Sequence, residues 1–331
     1  FRGTYRPPAD PASFTDFWDS LPETLAARDL KELVRLSAAA RRSGHGMLVL
    51  CGAHVIKAGV SPALIRLMED GWITALATNG AGAIHDLELA FFGRTSEDVA
   101  AQLPAGRFGM ARETSSWLND WTIEAAARGE GLGEGLGRAF LERGAPGSAS
   151  SLLATAYRLS IPATVHLAIG ADINHQHPGF NGAAAGETTA RDFRILCRVV
   201  QGLERGIALN IGSAVILPEV FLKAVSVGTN LGARYGGLTT AVFDFIRHYR
   251  PAENVVRRPA LQGGKGFYLV GHHEILVPLF TQALLLAGGG SGTGRSERGK
   301  GDGKAAGVKG GAKTGRSTQS DPPTRSRRRP R

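Results

Sequence analysis

Cysteine is nearly absent: Cys51 and Cys197 are the only two among 331 residues, and no Cys-x-x-Cys spacing joins them. That excludes a disulfide framework and a thiolate zinc site, and it fits a reducing, cytoplasmic compartment. Aromatic residues are also few, at 7%, while the 43% hydrophobic content is ordinary for a globular α/β chain. No run of about 18 apolar residues occurs, so no membrane span is expected. The stretch from Phe1 onward carries no signal-peptide pattern. The formal charge of +10 is confined to one end: Gly288 to Arg331 holds twelve Lys or Arg against three Asp or Glu, which leaves the rest almost neutral. A nucleic-acid role for the folded part is therefore not indicated. The terminal segment lacks any hydrophobic period and reads as a disordered basic tail over 288–331, able to touch nucleic acid nonspecifically.

What is present is organised around Ile73 to Phe92, ITALATNGAGAIHDLELAFF, an apolar run, a Gly-rich break and a helical pattern. Thr78, Asn79, Gly80, Ala81 and Gly82 form a strand-to-helix turn in which small residues let backbone N–H groups approach a phosphate. The same glycines would equally serve tight packing of helix on strand. The run departs from the Gly-x-Gly-x-x-Gly fingerprint and has no acidic residue about 20 positions on, so an ordinary nicotinamide dehydrogenase is not indicated.

Taken in order, residues 1–43 read as an extended arm and a helix from Leu21 to Arg42. Residues 44–287 read as one domain. Met47–Cys51 is the first buried strand, Gly52-Ala53-His54 a tight turn, and Ser61-Pro62 a cap-then-proline helix start. The stretch 94–146 reads as an insertion with Trp117 and Trp121 on a helix. Its EGLGEGLG run, with no strand before it, reads as a flexible connector between helices rather than a phosphate loop. Alternation then resumes: a strand at Ala163 to Ala168, a helix at Thr188 to Leu203, a strand at Ile207 to Ile211, a turn at Gly212-Ser213 and a helix from Pro218. Strands near Leu238 to Phe243 and Gly266 to Val270 and a helix from His273 to Leu286 complete it. Such alternation predicts a doubly wound, mostly parallel α/β sheet.

Five segments in this order carry a resemblance: CGAHVIKAGVSP, ATNGAGAIHDL, IPATVHLAIGADIN, NIGSAVILPEVFLKAVSVG and GHHEILVPLFTQAL. Over roughly residues 45 to 286 the chain resembles the deoxyhypusine synthase family. The resemblance implies a Rossmann-like NAD-binding fold, a homotetramer with sites between subunits, and transfer of an aminobutyl group from spermidine to a protein lysine. It implies a cofactor set of Gly52, Ala53, His54, Thr78, Asn79, Gly80, Ala81, Gly82, Asp172, Gly212, Ser213, Thr240, Ala241 and His273. Where the family has a nucleophilic lysine in a Trp-Gly-Lys segment, this chain reads Val255-Val256-Arg257-Arg258-Pro259. Arginine, always protonated, cannot form a Schiff base. His175 stands where the family has an acid, and Pro218-Glu219 replaces a histidine. Lys265, in what reads as a Gly-rich hairpin, is either a relocated nucleophile or a surface lysine.

The expectation is thus an NAD-dependent transferase or oxidoreductase acting on a small-molecule amine or alcohol other than spermidine. His85, His175 or His272 would serve as its base. A nucleotide-binding member that has lost the reaction is the alternative. A metal-dependent hydrolase built on Asp172, His175, His177, His272 and His273 is a third reading, although no helical ligand spacing accompanies these residues.

Overall fold

Met47–Cys51 (β1) has every residue buried, and its side chains divide between two cores: Met47, Val49 and Cys51 face one layer, Leu48 and Leu50 the other. A strand covered on both faces needs this unbroken apolar run and not an alternating one. The computed structural model describes residues 13–95 and 99–289, so most of the expected arm and nearly all of the expected tail lie outside it.

Phe14–Ser20 (α1) and Leu25–Arg42 (α2) come before β1. Ala53–Lys57 (α3) and Ser61–Glu69 (α4) lead to Ala75–Asn79 (β2), which runs directly into Gly80–Phe92 (α5). Val99–Gln102 (α6), Arg112–Arg128 (α7), Leu132–Glu142 (α8) and Leu152–Arg158 (α9) precede Ala163–His166 (β3). There follow Gly182–Gln201 (α10), Ile207–Ile211 (β4), Ile216–Asn230 (α11) and Thr239–Asp244 (β5). The short turns Tyr249–Pro251 (α12) and Arg258–Ala260 (α13) flank a π-helical turn, and Lys265–Val270 (β6) and His273–Ala287 (α14) close the fold. All neighbouring strands pair in parallel in the order β3-β2-β1-β4-β5-β6. This is the doubly wound α/β sheet that the sequence predicts. The chain reverses its direction of travel across the sheet between β1 and β4, a topological switch point.

The EGLGEGLG run is not a flexible connector but most of a helix, with Gly131 as the cap of α8. Two of its glycines, Gly133 and Gly137, face neighbouring backbone. A Cβ on Gly133 would stand 2.2 Å from the Ala163 carbonyl oxygen, and one on Gly137 would stand 2.4 Å from that of Leu153. Close packing of α8 on β3 and α9 outweighs the poor helix propensity of glycine. Three smaller expectations also change. Helix α10 starts at Gly182, where the Asn181 side chain accepts from Ala184 N at 3.0 Å, six residues before Thr188. Ser61 is the first residue of α4 rather than its cap, a position held by Val60. Lys265 opens β6, which lies parallel to β5, so no hairpin is formed there.

Strand β3 is an edge strand whose free backbone groups are covered by α10. Asp192 Oδ2 accepts from Val165 N at 2.7 Å and from Gly133 N at 2.9 Å. Thr189 Oγ1 accepts from Leu167 N at 3.1 Å and donates to Val165 O at 2.9 Å. Side chains thereby replace the missing strand and block edge-to-edge pairing.

Candidate functional site

At the switch point the loops after β1 and β4 touch. A Cβ on Gly52 would stand 2.0 Å from the Gly212 carbonyl oxygen, so only glycine lets the two chain reversals meet there. Gly212 itself has φ +66°, in the left-handed region. The loop after β4 is fixed from within: Asn210 Nδ2 donates to Ser213 O at 2.9 Å, and Ser213 Oγ accepts from Leu217 N at 3.3 Å. His273, at the start of α14, is fully buried and reaches inward past β5. Its Nε2 lies 3.3 Å from the Phe243 carbonyl, to which it donates. Nδ1 is then an acceptor, and it has no partner among the described residues. Burial holds this imidazole below its usual pKa, against the contrary pull of the Phe243 carbonyl, so it is neutral. His54 and Phe245 complete a group of rings, with centroids 5.4 Å from His54 to His273 and 5.7 Å from His54 to Phe245. Ala53 lies beside them at the start of α3. Gly52, Ala53, His54, Gly212, Ser213 and His273 therefore come together at the carboxyl ends of β1 and β4, where a doubly wound sheet has its switch-point crevice.

The turn after β2 is arranged differently. Asn79 caps α5, accepting from Gly82 N at 3.0 Å, and Thr78 Oγ1 donates to Cys51 O at 2.7 Å. The space in front of the helix is taken by Asp172, which folds back from the loop after β3. A Cβ on Gly80 would stand 2.0 Å from Asp172 Oδ2, and the N–H groups of Ala168 and Ala81 serve the carboxyl. The helix N-terminus that would hold an external phosphate thus already faces a carboxyl of this chain. Burial pushes Asp172 up to about 6, with those N–H groups opposing. His175, on the turn Ile173–Gln176, faces it: its Nε2 is 3.9 Å from Asp172 Oδ2, and neither atom has a hydrogen-bond partner among the described residues. His175 Nδ1 accepts from Gly170 N at 3.1 Å, its ring packs on Phe180 at 4.6 Å, and burial lowers its pKa.

The remaining expected residues lie apart from this crevice. His85 is in the second turn of α5 with Nδ1 3.1 Å from Glu88 Oε2, a buried carboxylate. His272 caps α14 at the surface, 3.8 Å from Glu274. Lys265 is at the N-terminal start of β6, the opposite end of the sheet, with Nζ 2.8 Å from Glu32 Oε1. Thr240 and Ala241 are fully buried inside β5. Among the described residues no group of three His, Cys, Asp or Glu side chains gathers to hold a metal ion.

Phe245 and Asn210 belong to the crevice and were not singled out in the sequence. An exposed aromatic directly after a buried strand was the available signal for Phe245. Asn210, polar in the run Ile207–Ile211, was the corresponding signal in β4. Asp86 stands within the apolar α5, where it caps α9 from a distance, accepting from Leu152 N and Leu153 N at 2.9 Å and from Ser151 Oγ at 2.7 Å.

No family model matches the sequence, and no curated protein matches it. Solved structures do match by fold. A provisionally named deoxyhypusine synthase from Entamoeba histolytica, 9% identical, superposes with a TM-score of 0.52 over 82% of this chain and 93% of that one. An arginine dihydrolase of the cyanobacterial ornithine-ammonia cycle is 17% identical with a TM-score of 0.47, covering 80% of this chain and 33% of that one. AgrE, solved with ornithine and NAD+, is 16% identical with a TM-score of 0.47, covering 78% and 32%. The chain therefore spans about a third of the length of the last two proteins. At these identities the likeness is one of fold alone: a doubly wound α/β protein, related in architecture to the deoxyhypusine-synthase-like structure. Among the described residues no helix is long and apolar enough to cross a membrane.

Proposed function

We propose that this chain binds NAD at the switch-point crevice and uses it in oxidoreduction or group transfer on an amine or alcohol. One observation carries the reading: at the carboxyl ends of β1 and β4, a buried acceptor, His273 Nδ1, has no partner among the described residues and lies beside the Gly52 and Gly212 loops. An orphaned acceptor in a polar crevice fits a ligand that brings an N–H or O–H donor, as a ribose or a carboxamide does. Gly52, Ala53, His54, Gly212, Ser213 and His273 would hold the cofactor, which when bound supplies a hydride acceptor. The Gly80 to Gly82 turn is a poorer seat for its pyrophosphate, because Asp172 already fills that position.

The proton work falls to Asp172 and His175. With Asp172 pushed up to about 6, its carboxylate is mostly ionised at neutral pH yet more basic than an ordinary one. His175 is neutral there, and because its Nδ1 accepts from Gly170 N its Nε2 carries the proton that faces Asp172 across the 3.9 Å gap, which favours the carboxylate as the base. His85, engaged with Glu88, and His272, at the surface, are less suited to the role. Lys265 is separated from the crevice by the length of the sheet, which favours its reading as a surface ion-pair partner. A homo-oligomer, a tetramer on the family resemblance, is part of the proposal: Ile169, Val215, Phe245, Ile246, Val270 and Ile275 are exposed around this face of the sheet and suit coverage by another copy.

The remote Lys265 favours the second reading, a nucleotide-binding protein without the reaction. Calorimetry with NAD+ on the parent chain and on His54→Ala tests the shared part. Saturable binding that weakens in the variant is expected, and no binding at millimolar cofactor overturns both readings. Appearance of the reduced-nicotinamide absorption band on adding amines or alcohols then selects the enzyme.

A further inference from the structure

Helix α7 repeats one pairing on consecutive turns: Trp117 with Asp120, then Trp121 with Glu124. Residues three apart on a helix are neighbours on its surface, so each indole has a carboxylate beside it. The second pair is already filled. The Arg143 guanidinium lies over Trp121, 5.2 Å from the ring centre, while its Nη2 donates to Glu124 Oε2 at 2.9 Å. The first pair is open: Asp120 is exposed and forms no ion pair among the described residues. Beside it a cavity of about 650 Å³ is lined by Phe91, Trp117, Gly144 and Pro146 together with Asp120 and the Trp121, Glu124 and Arg143 group, so its two carboxylates outnumber its one guanidinium. Trp117 is only half-buried. It stacks on Trp121 at 5.8 Å with a 24° tilt and on Phe92 at 5.4 Å with a 26° tilt. Centroid distances this long at small tilt mean offset stacks, which leave part of the Trp117 face uncovered.

We infer that this cavity is a binding site for an organic cation of the guanidinium class, held at Trp117 and Asp120 as Arg143 is held at Trp121 and Glu124. The ring face attracts the cation, the carboxylate orients its N–H groups, and Phe91 and Pro146 accept the apolar stem. A planar guanidinium suits this seat better than a compact, strongly hydrated ammonium. The site shares no residue with the switch-point group and is independent of the cofactor reading.

The test is calorimetric titration of the full chain with argininamide and, in a second arm, with a blocked Gly-Arg-Gly peptide, which separates a small-molecule source from a peptide one. Citrullinamide, of the same shape without the charge, is the control. Argininamide is expected to bind in the millimolar range. Asp120→Asn should weaken it about fivefold, as loss of one exposed ion pair does at its upper range. Circular dichroism of the variant establishes that the fold is kept. Equal affinity for citrullinamide, indifference to Asp120→Asn, or no saturation at tens of millimolar argininamide would overturn the site.

Discussion

Replacing Gly137 by alanine tests whether α8 is a packed helix, because the two readings of its glycine-rich sequence predict opposite signs. In a flexible connector, Gly→Ala stabilises slightly by restricting the unfolded chain, by roughly 0.4–1 kcal/mol. In α8 the new methyl would stand 2.4 Å from the Leu153 carbonyl oxygen and 2.9 Å from Tyr157 Cβ, and the first of these is rigid backbone. Relief requires α8 and α9 to separate by about an ångström. Overpacking of this kind costs about 1–3 kcal/mol, against a helix-propensity gain of about 1 kcal/mol. The net expectation is a loss of up to about 2 kcal/mol. Gly186 in α10 is the matched control, since nothing lies within 4 Å of its Cβ position. There only the propensity gain remains, and Gly186→Ala should stabilise by about 0.5–1 kcal/mol. Urea unfolding followed by circular dichroism measures both, and by thermal melting the shifts should be about 2–4 °C per kcal/mol, in opposite directions. If Gly137→Ala stabilises as Gly186→Ala does, the close approach of α8 and α9 is refuted.

Burial pushes Asp192 up from 3.8 to about 7 although backbone N–H groups of Val165, Gly133 and Leu132 oppose it. The folded state therefore favours the protonated form, so the stability it contributes is greatest below 3.8 and is lost as pH rises to about 7. Asp192→Asn keeps one acceptor oxygen and removes the titration; the stability difference between variant and parent should change by a few kcal/mol across that window and be flat above it, as read by urea unfolding at stepped pH. Arg138, 4% exposed in its side chain, meets Glu124, Glu130 and Glu142 at 2.6–3.2 Å. Arg138→Ala takes the guanidinium from Glu130 while Glu124 keeps Arg143 and Glu142 faces water, and should cost about 1–3 kcal/mol, whereas a loss below 1 kcal/mol would mean that water already screens the group. In an assay with labelled spermidine, NAD and a lysine-bearing acceptor protein, no label should transfer, since Val255 to Pro259 hold no amine. Label transfer that disappears in Lys265→Ala would reverse the placement of that lysine outside the site.

Much of the fold was legible in the sequence because it rests on local pattern. Met47–Cys51 is a short unbroken apolar run bounded by glycine, and Ile207–Ile211 is one broken only by Asn210; two-sided burial demands such runs wherever the strand lies in the sheet. The strand-to-helix junction at Thr78 to Gly82 was legible as small and polar residues between two patterns, although α5 already begins at Gly80, capped by Asn79. The EGLGEGLG run was misread because glycine at alternate positions signals flexibility unless another backbone lies against it. That backbone, at Ala163 and Leu153, is supplied only by tertiary packing. The site was legible in part, as glycines and histidines at strand ends. The strand order and the meeting of Gly52 with Gly212 were not, because pairing across a sheet depends on hydrogen bonds between segments about 160 positions apart. Tertiary structure also decided that Asp172 fills the α5 N-terminus, that His273 reaches the crevice from beyond β5, and that Lys265 stands at the far end. Sequence sets which groups are present and which face of an element each occupies, but the distance between groups on different elements is fixed only when those elements pack.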